Sequence, residues 1–423
     1  MSMVRILELL EYVFRDLLMK RLLVILACLA PASAQETLTL DAAVGRALAS
    51  HPLLAEGTQR VESARGQLRQ APLTFNPKLV LQAENYRNWG SRPILTSRET
   101  DDFAYLQQTF ETAGKRGKRA ELASRGLRSA ELELEVLRRN IARDVSLAYW
   151  AALGAQRMHE LLLESVRNFQ KIVEYHEIRV REGAMAENDL LRVRLELGRI
   201  ELAANNAALD AAKARIELFR AMGQAEFPGV RFAEPLQTEL GGPTQAAVEE
   251  VLERRPEARL ARERLQQARA NLVLQRANAT PNFDALFGYK RSMGENTLIA
   301  GLQWDLPVLN RNQGNVQSAS ADIKAAEANL AATEAIIRAE VQAAAAEYET
   351  RRLQIRDLVG RLRQQAGETS KIAQAAYRLG GADLLRLLDA ERLRIEIELV
   401  HYRAWMEYRQ SMEVLAYALG VKP

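Results

Sequence analysis

The spacing of apolar residues along the chain follows two rhythms, and the two occur in the same order twice. PKLVLQAENY (77–86), FAYLQQTF (103–110), NFDALFGYK (282–290) and TLIAGLQWDL (297–306) alternate residue by residue, the pattern of strands with one apolar face. After each strand pair, apolar residues recur every three or four positions, predicting helices over 118–180 and 185–222, then over 314–378 and 382–419. Proline agrees with this division, since 134 residues free of it separate Pro93 from Pro228 and 115 separate Pro307 from Pro423. A helix of 63 residues over 118–180 is ~95 Å long. No ordinary globular core needs such a rod, and its Ala-rich stripe suits coiled-coil packing.

The repeat keeps its register. Leu127, Ala130, Leu134, Leu137, Ile141, Val145, Ala148 and Ala152 answer Ile323, Ala326, Leu330, Thr333, Ile337, Val341, Ala344 and Tyr348, every pair 196 apart. Pro52 answers Pro256 and Pro77 answers Pro281, each 204 apart. Shared punctuation in shared order points to a duplication, with repeats at 35–225 and 245–423 joined by a linker at 226–244. The first repeat opens on a helical pattern from Leu40 to Gln70, with Asp41 placed to cap it and Pro52 to kink or break it. Gly183 and Gly380 interrupt the long patterns where helical hairpins would turn.

Composition alters this picture little, but it excludes several functions. The net charge of +4 is small against 58 basic and 54 acidic side chains, which are interleaved along the helices and so argue against a nucleic-acid surface. Residues 1–34 read as an export signal: Lys20 and Arg21, the apolar run Leu22 to Ala30, then Ala32-Ser33-Ala34 as a cleavage site. Met19 is then the preferred start. The single cysteine, Cys28, leaves with the signal or, in the alternative, becomes an acylated first residue. The four histidines, His51, His159, His176 and His401, show no metal-ligand spacing, and no phosphate-binding or dinucleotide fingerprint is present. No enzyme, cofactor or metal site is therefore expected.

Four strands in so helical a chain are a puzzle for a monomer, because isolated hairpins are too few for a stable sheet and expose their edges. Pairing with further copies removes both problems. Strands of ~9–11 residues with aromatic girdles are also what an outer-membrane barrel requires. Phe103, Tyr105, Phe110, Phe283, Phe287, Tyr289 and Trp304 are the candidates for that belt. A small soluble β cap on a helical rod is the competing reading.

With its duplicated strand and helix order, ALASHP near the start and PVLNRNQG after the fourth strand, the mature chain resembles the TolC-type outer-membrane efflux family. FETAGKRGKR (110–119) is similar to the Glu-x-Gly-Gly-Lys-Arg run of its cobalt–zinc–cadmium branch, with Ala113 in place of the first glycine. The resemblance implies a mainly α protein with a small transmembrane β-barrel part. Three copies would give four strands each to a twelve-stranded barrel, above a coiled-coil tunnel crossing the periplasm. It further implies a passive duct for heavy-metal cations, joined through a periplasmic adaptor (membrane fusion protein) to an inner-membrane RND pump. The tips at Gly183, Gly380 and Gly381 are where family members meet the adaptor, and Asp389 falls where some carry a constricting acidic ring. Arg386 replaces a second acid there, leaving open an Arg386–Asp389 pair or a solvated Asp389. The basic run Lys115, Arg116, Lys118 and Arg119 suits a charged turn, with lipid-headgroup or nucleic-acid contact as alternatives. A drug or type I secretion duct of the same family, and a periplasmic coiled-coil adaptor or scaffold, are the rival functions.

Overall fold

The computed structural model describes residues 36–85, 100–242 and 247–421. The export segment with Cys28 and the loop holding Trp89, Gly90 and Pro93 lie outside the described residues.

Two short helices open each repeat. In the first, α1 (Leu40–Ser50) is capped by Thr39, whose hydroxyl accepts from Ala42 N at 3.0 Å. Asp41 instead sits in the first turn, where a carboxylate favours the positive end of the helix dipole. His51 then ends α1 and caps α2 (Pro52–Gln70), its Nδ1 accepting from Leu53 N at 3.2 Å. Pro52 therefore starts a new helix, as Pro256 does after Arg255 in the second repeat.

Strands β2 (Lys78–Glu84) and β3 (Asp101–Phe110) precede the long helices α3 (Lys115–Arg181) and α4 (Glu187–Ala221). With 67 residues, α3 is ~100 Å long. It ends at Gly183, where φ of +72° lets Ala184 N reach Arg179 O at 2.8 Å and close a Schellman turn.

The linker between repeats contains a strand absent from the sequence reading: β4 (Val230–Phe232) runs parallel to β1 (Glu36–Leu38). Nor is the linker loose. Arg409 donates to the carbonyls of Leu236 and Pro235, and the Tyr408 hydroxyl donates to Gly241 O at 2.9 Å.

The second repeat comprises α5 (Val248–Arg254), α6 (Pro256–Asn278), β5 (Phe283–Ser292), β6 (Glu295–Trp304), α7 (Gln313–Gln354), α8 (Gly360–Arg378) and α9 (Leu384–Ala418). Here the expected single rod is not continuous. A π-helical turn, Ile355–Val359, separates α7 from α8.

The four longer strands are not two separate hairpins. They form one antiparallel sheet in the order β2-β3-β5-β6, with β3 and β5 joining the repeats at its centre and β2 and β6 at its edges. Below the sheet the core falls into separate clusters along the rods. Tyr149, Leu153, Leu218 and Tyr408 are fully buried beside Leu38 and Phe232. Leu162, Phe169, Val193 and Leu387 fill the hairpin end. Each such side chain contributes ~1.5–3 kcal/mol by leaving water.

Candidate functional site: a two-faced sheet and two hairpin tips

Residues directly opposite in an antiparallel pair share a face, so the strand register sorts every side chain of the sheet. Phe283 lies opposite Phe110 and Trp304, Phe287 opposite Leu106 and Ala300, and Tyr289 opposite Ala104 and Leu298. Leu79 and Leu81 extend this face onto β2. It is apolar and it is bare: Leu81 is 72% exposed, Phe287 62%, Leu302 65% and Trp304 56%. Aromatic residues mark both ends, with Phe110 stacked on Phe283 at 5.2 Å near Trp304, and the Tyr289 hydroxyl bonded to Asn296 at the other.

Two belt candidates stand on the opposite face. Phe103 pairs in register with Lys290, whose Nζ lies 5.0 Å from its ring centre, and Tyr105 lies opposite Gly288. This face is mostly polar, with Asp284 accepting from Gln107 at 2.9 Å and Thr109 at 2.5 Å, although Val80, Leu286 and Ile299 also stand on it. Parity within β3 carries this result, because residues 103 and 105 point away from residue 110 in any strand.

The basic run after β3 is a turn that ties the repeats together. Glu111 takes a two-pronged ion pair from Arg119, which also donates to the carbonyls of Ala71 and Leu73. Lys115 is buried, its Nζ 2.5 Å from Asn282 Oδ1, and Thr112 donates to Pro281 O at 2.6 Å. Burial pushes the Lys115 ammonium below its ordinary pKa, with Glu111 opposing. Of the four basic residues only Arg116 is exposed; Lys118 is half-buried and bonds Ala113 O. Ala113 and Gly114 both take the left-handed backbone, at φ +54° and +67°.

At the far end, Gly380 repeats the Schellman turn of Gly183, at φ +74° with Gly381 N 2.8 Å from Ala376 O. Just above the tips the hairpins are joined by His176, which is 1% exposed. Its Nδ1 meets Ile172 O at 2.7 Å and its Nε2 meets the Tyr377 hydroxyl at 2.8 Å. Arg386 and Asp389 are both exposed on α9 and, among the described residues, form no ion pair with each other. The Arg386 amide instead bonds the capping carboxylate of Asp383 at 3.0 Å.

Two buried charge clusters escaped sequence reasoning. Glu391, 3% exposed, accepts from Ser370 and Gln374 across the hairpin, each at 2.5 Å, and from Arg394 at 3.1 Å. Burial alone would raise its pKa, but these donors outweigh it and hold the carboxyl below its usual range. Ser370 and Glu391 stand at nearly equal distances from Gly380, and this symmetry about the tip was the available signal. The second cluster pins the repeats together at mid-rod. Glu257 accepts from Arg139 at 2.8 Å, Arg255 at 3.1 Å and the Tyr417 hydroxyl at 3.0 Å, while Arg255 also reaches Glu340 at 2.5 Å. Burial opposes ionisation of Glu257, yet Arg255 and Arg139 keep its pKa low.

Among the described residues, no three His, Cys, Asp or Glu side chains group to hold a metal, and no helix is long and apolar enough to cross a membrane. An apolar surface is left bare on the sheet. A bare apolar sheet face, with Phe110, Phe283 and Trp304 at one end and Tyr289 at the other, standing on paired rods, is the architecture of a strand-bearing membrane protein with long helical hairpins.

Comparison with known proteins agrees. The chain belongs to the outer membrane efflux protein family, whose profile matches residues 43–224 and 247–421. It is similar to the cobalt-zinc-cadmium resistance protein CzcC of Cupriavidus metallidurans, 25% identical over 395 residues and 92% of each chain. The nickel-cobalt-cadmium resistance protein NccC of Alcaligenes xylosoxydans xylosoxydans is 23% identical over 66% of this chain and 63% of its own. In fold the chain is similar to the Campylobacter jejuni CmeC outer membrane channel, with a TM-score of 0.77 at 20% identity, covering 90% of this chain and 85% of that one. The protein is thus an outer-membrane efflux channel component.

Proposed function

We propose that the protein is the exit duct of a tripartite efflux system, a homotrimer in which three four-stranded sheets close a twelve-stranded barrel. The carrying observation is the sheet itself: an exposed apolar face bounded by two edges, β2 and β6, that pair with no further strand among the described residues. Lipid covers that face, and neighbouring copies satisfy the edges, since unpaired backbone groups in hydrocarbon each cost several kcal/mol. A second feature supports assembly. Leu195, Leu202, Leu209 and Ile216 on α4 are all exposed at seven-residue intervals, the spacing of a seam awaiting another helix.

The polar face, with Phe103 and Tyr105, then lines the lumen, while Phe110, Phe283, Phe287, Tyr289 and Trp304 meet lipid. Gly183, Gly380 and Gly381 present the tips to a periplasmic adaptor bound to an inner-membrane RND pump. Arg386 and Asp389 lie on the helix nearest the closed end and act as gate residues. The duct performs no chemistry. Its cargo is heavy-metal cations, a reading supported by the likeness to CzcC along nearly the whole of both chains.

Light scattering of the detergent-solubilised protein, together with gels of heated and unheated samples, tests the assembly. A heat-modifiable trimer is expected, and a water-soluble monomer would overturn the duct in favour of an adaptor or scaffold. Cargo is tested in cells lacking the gene, with its pump present. Lost tolerance to cobalt, zinc or cadmium is expected, whereas lost drug tolerance alone would assign it to drug export.

A further inference from the structure

Within the long rods that follow the strands, the two copies of the repeat differ in length by one residue, and the difference falls at one place. Buried Ile141 and Val145 correspond to buried Ile337 and Val341, 196 positions on. Further down the rods the interval is 197: Leu162 corresponds to Val359, Phe169 to Ala366, Val173 to Ser370, Leu190 to Leu387 and Gly183 to Gly380. All the paired side chains are buried, so both copies keep the same face inward above and below the change. The π-turn Ile355–Val359 lies inside that interval. One turn closed by i→i+5 bonds absorbs one extra residue without rotating the α-helix beyond it. The second rod therefore carries a one-residue insertion that the 67-residue α3 lacks.

Its surroundings make this turn the weak point of the rod. Ile355 and Val359 are anchored in the core, but Arg356 and Asp357 are exposed and bond each other, at 2.7 and 2.8 Å, rather than another helix. Gly360 follows at once, and a helical glycine costs ~1 kcal/mol relative to alanine. On α9, facing this level, the buried His401 Nδ1 has no partner among the described residues. Beneath the turn the hairpin is bound to itself by Arg363 to Glu398 at 2.9 Å and by the Ser370–Gln374–Glu391 cluster.

We infer that the π-turn is a hinge, about which the second hairpin swings as one body while the first, on its unbroken rod, stays straight. Resting on the duct reading, this places the pivot of the second hairpin at a single turn of its rod, Ile355–Val359, instead of spreading the bend along its length. The hinge also predicts a conservative variant. Deleting Arg356 returns the second copy to the interval of the first and converts the π-turn to α-helix with every seam kept.

The test compares wild type, the Arg356 deletion and Gly360→Ala as purified assemblies in planar bilayers, with thermal midpoints measured alongside. The deletion is expected to assemble with an equal or higher midpoint and to open at least ten-fold less often, with Gly360→Ala between. An assembled deletion variant that opens like wild type overturns the hinge. A wild-type protein that purifies as a water-soluble monomer instead overturns the duct. Spin-label distances decide independently of conductance. Cysteines replacing Ile336 and Ile372 span the π-turn, and cysteines replacing Glu131 and Arg167 span the same length of α3, all at exposed positions. In chains diluted with unlabelled protein, the first pair is expected to give the broader distribution; equal widths overturn the hinge.

Discussion

Removing the Glu257 carboxylate is expected to be among the most damaging single changes in the rods. Three donors converge on it, and two belong to guanidinium groups almost without solvent: the Arg139 and Arg255 side chains are 5% and 2% exposed. Tyr417 lies beneath both cations, 4.6 Å from Arg139 and 5.2 Å from Arg255. Glu257→Ala leaves two buried positive charges with the half-exposed Glu340 as their one remaining carboxylate among the described residues. Breaking a buried pair in this way costs about 3–5 kcal/mol, against ~0–1 kcal/mol for an exposed pair. An unfolding entropy of ~2.1 cal/mol/K per residue over a chain of this size corresponds to about 0.9 kcal/mol per kelvin. Glu257→Ala should therefore lower the thermal midpoint by about 3–6 °C, measured by circular dichroism in detergent. Glu340→Ala, which removes the solvent-facing acid, should lower it by about 1 °C or less. Equal shifts for the two variants would refute the assignment of Glu257 as the centre of the cluster.

Three further outcomes follow from geometry already described. Ala113 pays for its left-handed backbone, so Ala113→Gly should stabilise the turn by about 1 kcal/mol, and a fall in thermal midpoint would contradict that. A Cβ on Gly288 would lie inside contact distance of Ala104 O and of Tyr105 Cα and Cβ. Gly288→Ala should then abolish the heat-modifiable assembly on gels, and its survival would show that β3 and β5 can separate there. The Glu391 carboxyl titrates below its ordinary range, so its contribution is complete above the unfolded-state pKa and is lost as pH falls through the folded-state value. Hydrogen exchange around Ser370 should rise on acidification in wild type and change less in Glu391→Gln; parallel profiles would exclude the carboxylate as the cause.

Much of this architecture was legible because it rests on long, repetitive signals. The 63-residue reading of α3 fell short of the observed helix by only a few residues at its start, since a stripe kept for so long fixes period and direction together. The strands were legible for the same reason, but which face each aromatic occupies required parity to be followed through β3, where Phe103 and Phe110 differ by an odd number. What escaped was short or non-local. Three-residue β1 and β4 bury Leu38, Val230 and Phe232, yet neither is long enough to display alternation. Lys115 and Arg119 read as a solvated turn because their partners, Asn282 and the carbonyls of Ala71 and Leu73, come from other segments. The π-turn was invisible to a search at one fixed interval.

The unpaired edges of the sheet carry a genetic consequence. If closure of the barrel needs three matched copies, no chain reaches its working state alone, and each takes part in its neighbours' folding. A chain competent to associate but faulty in its hairpin would spoil every ring it joins. Where faulty and intact chains are made in equal amount and mix at random, about one ring in eight would be wholly intact. Such alleles should act dominantly, whereas alleles that break the strands, and so never enter a ring, should be recessive.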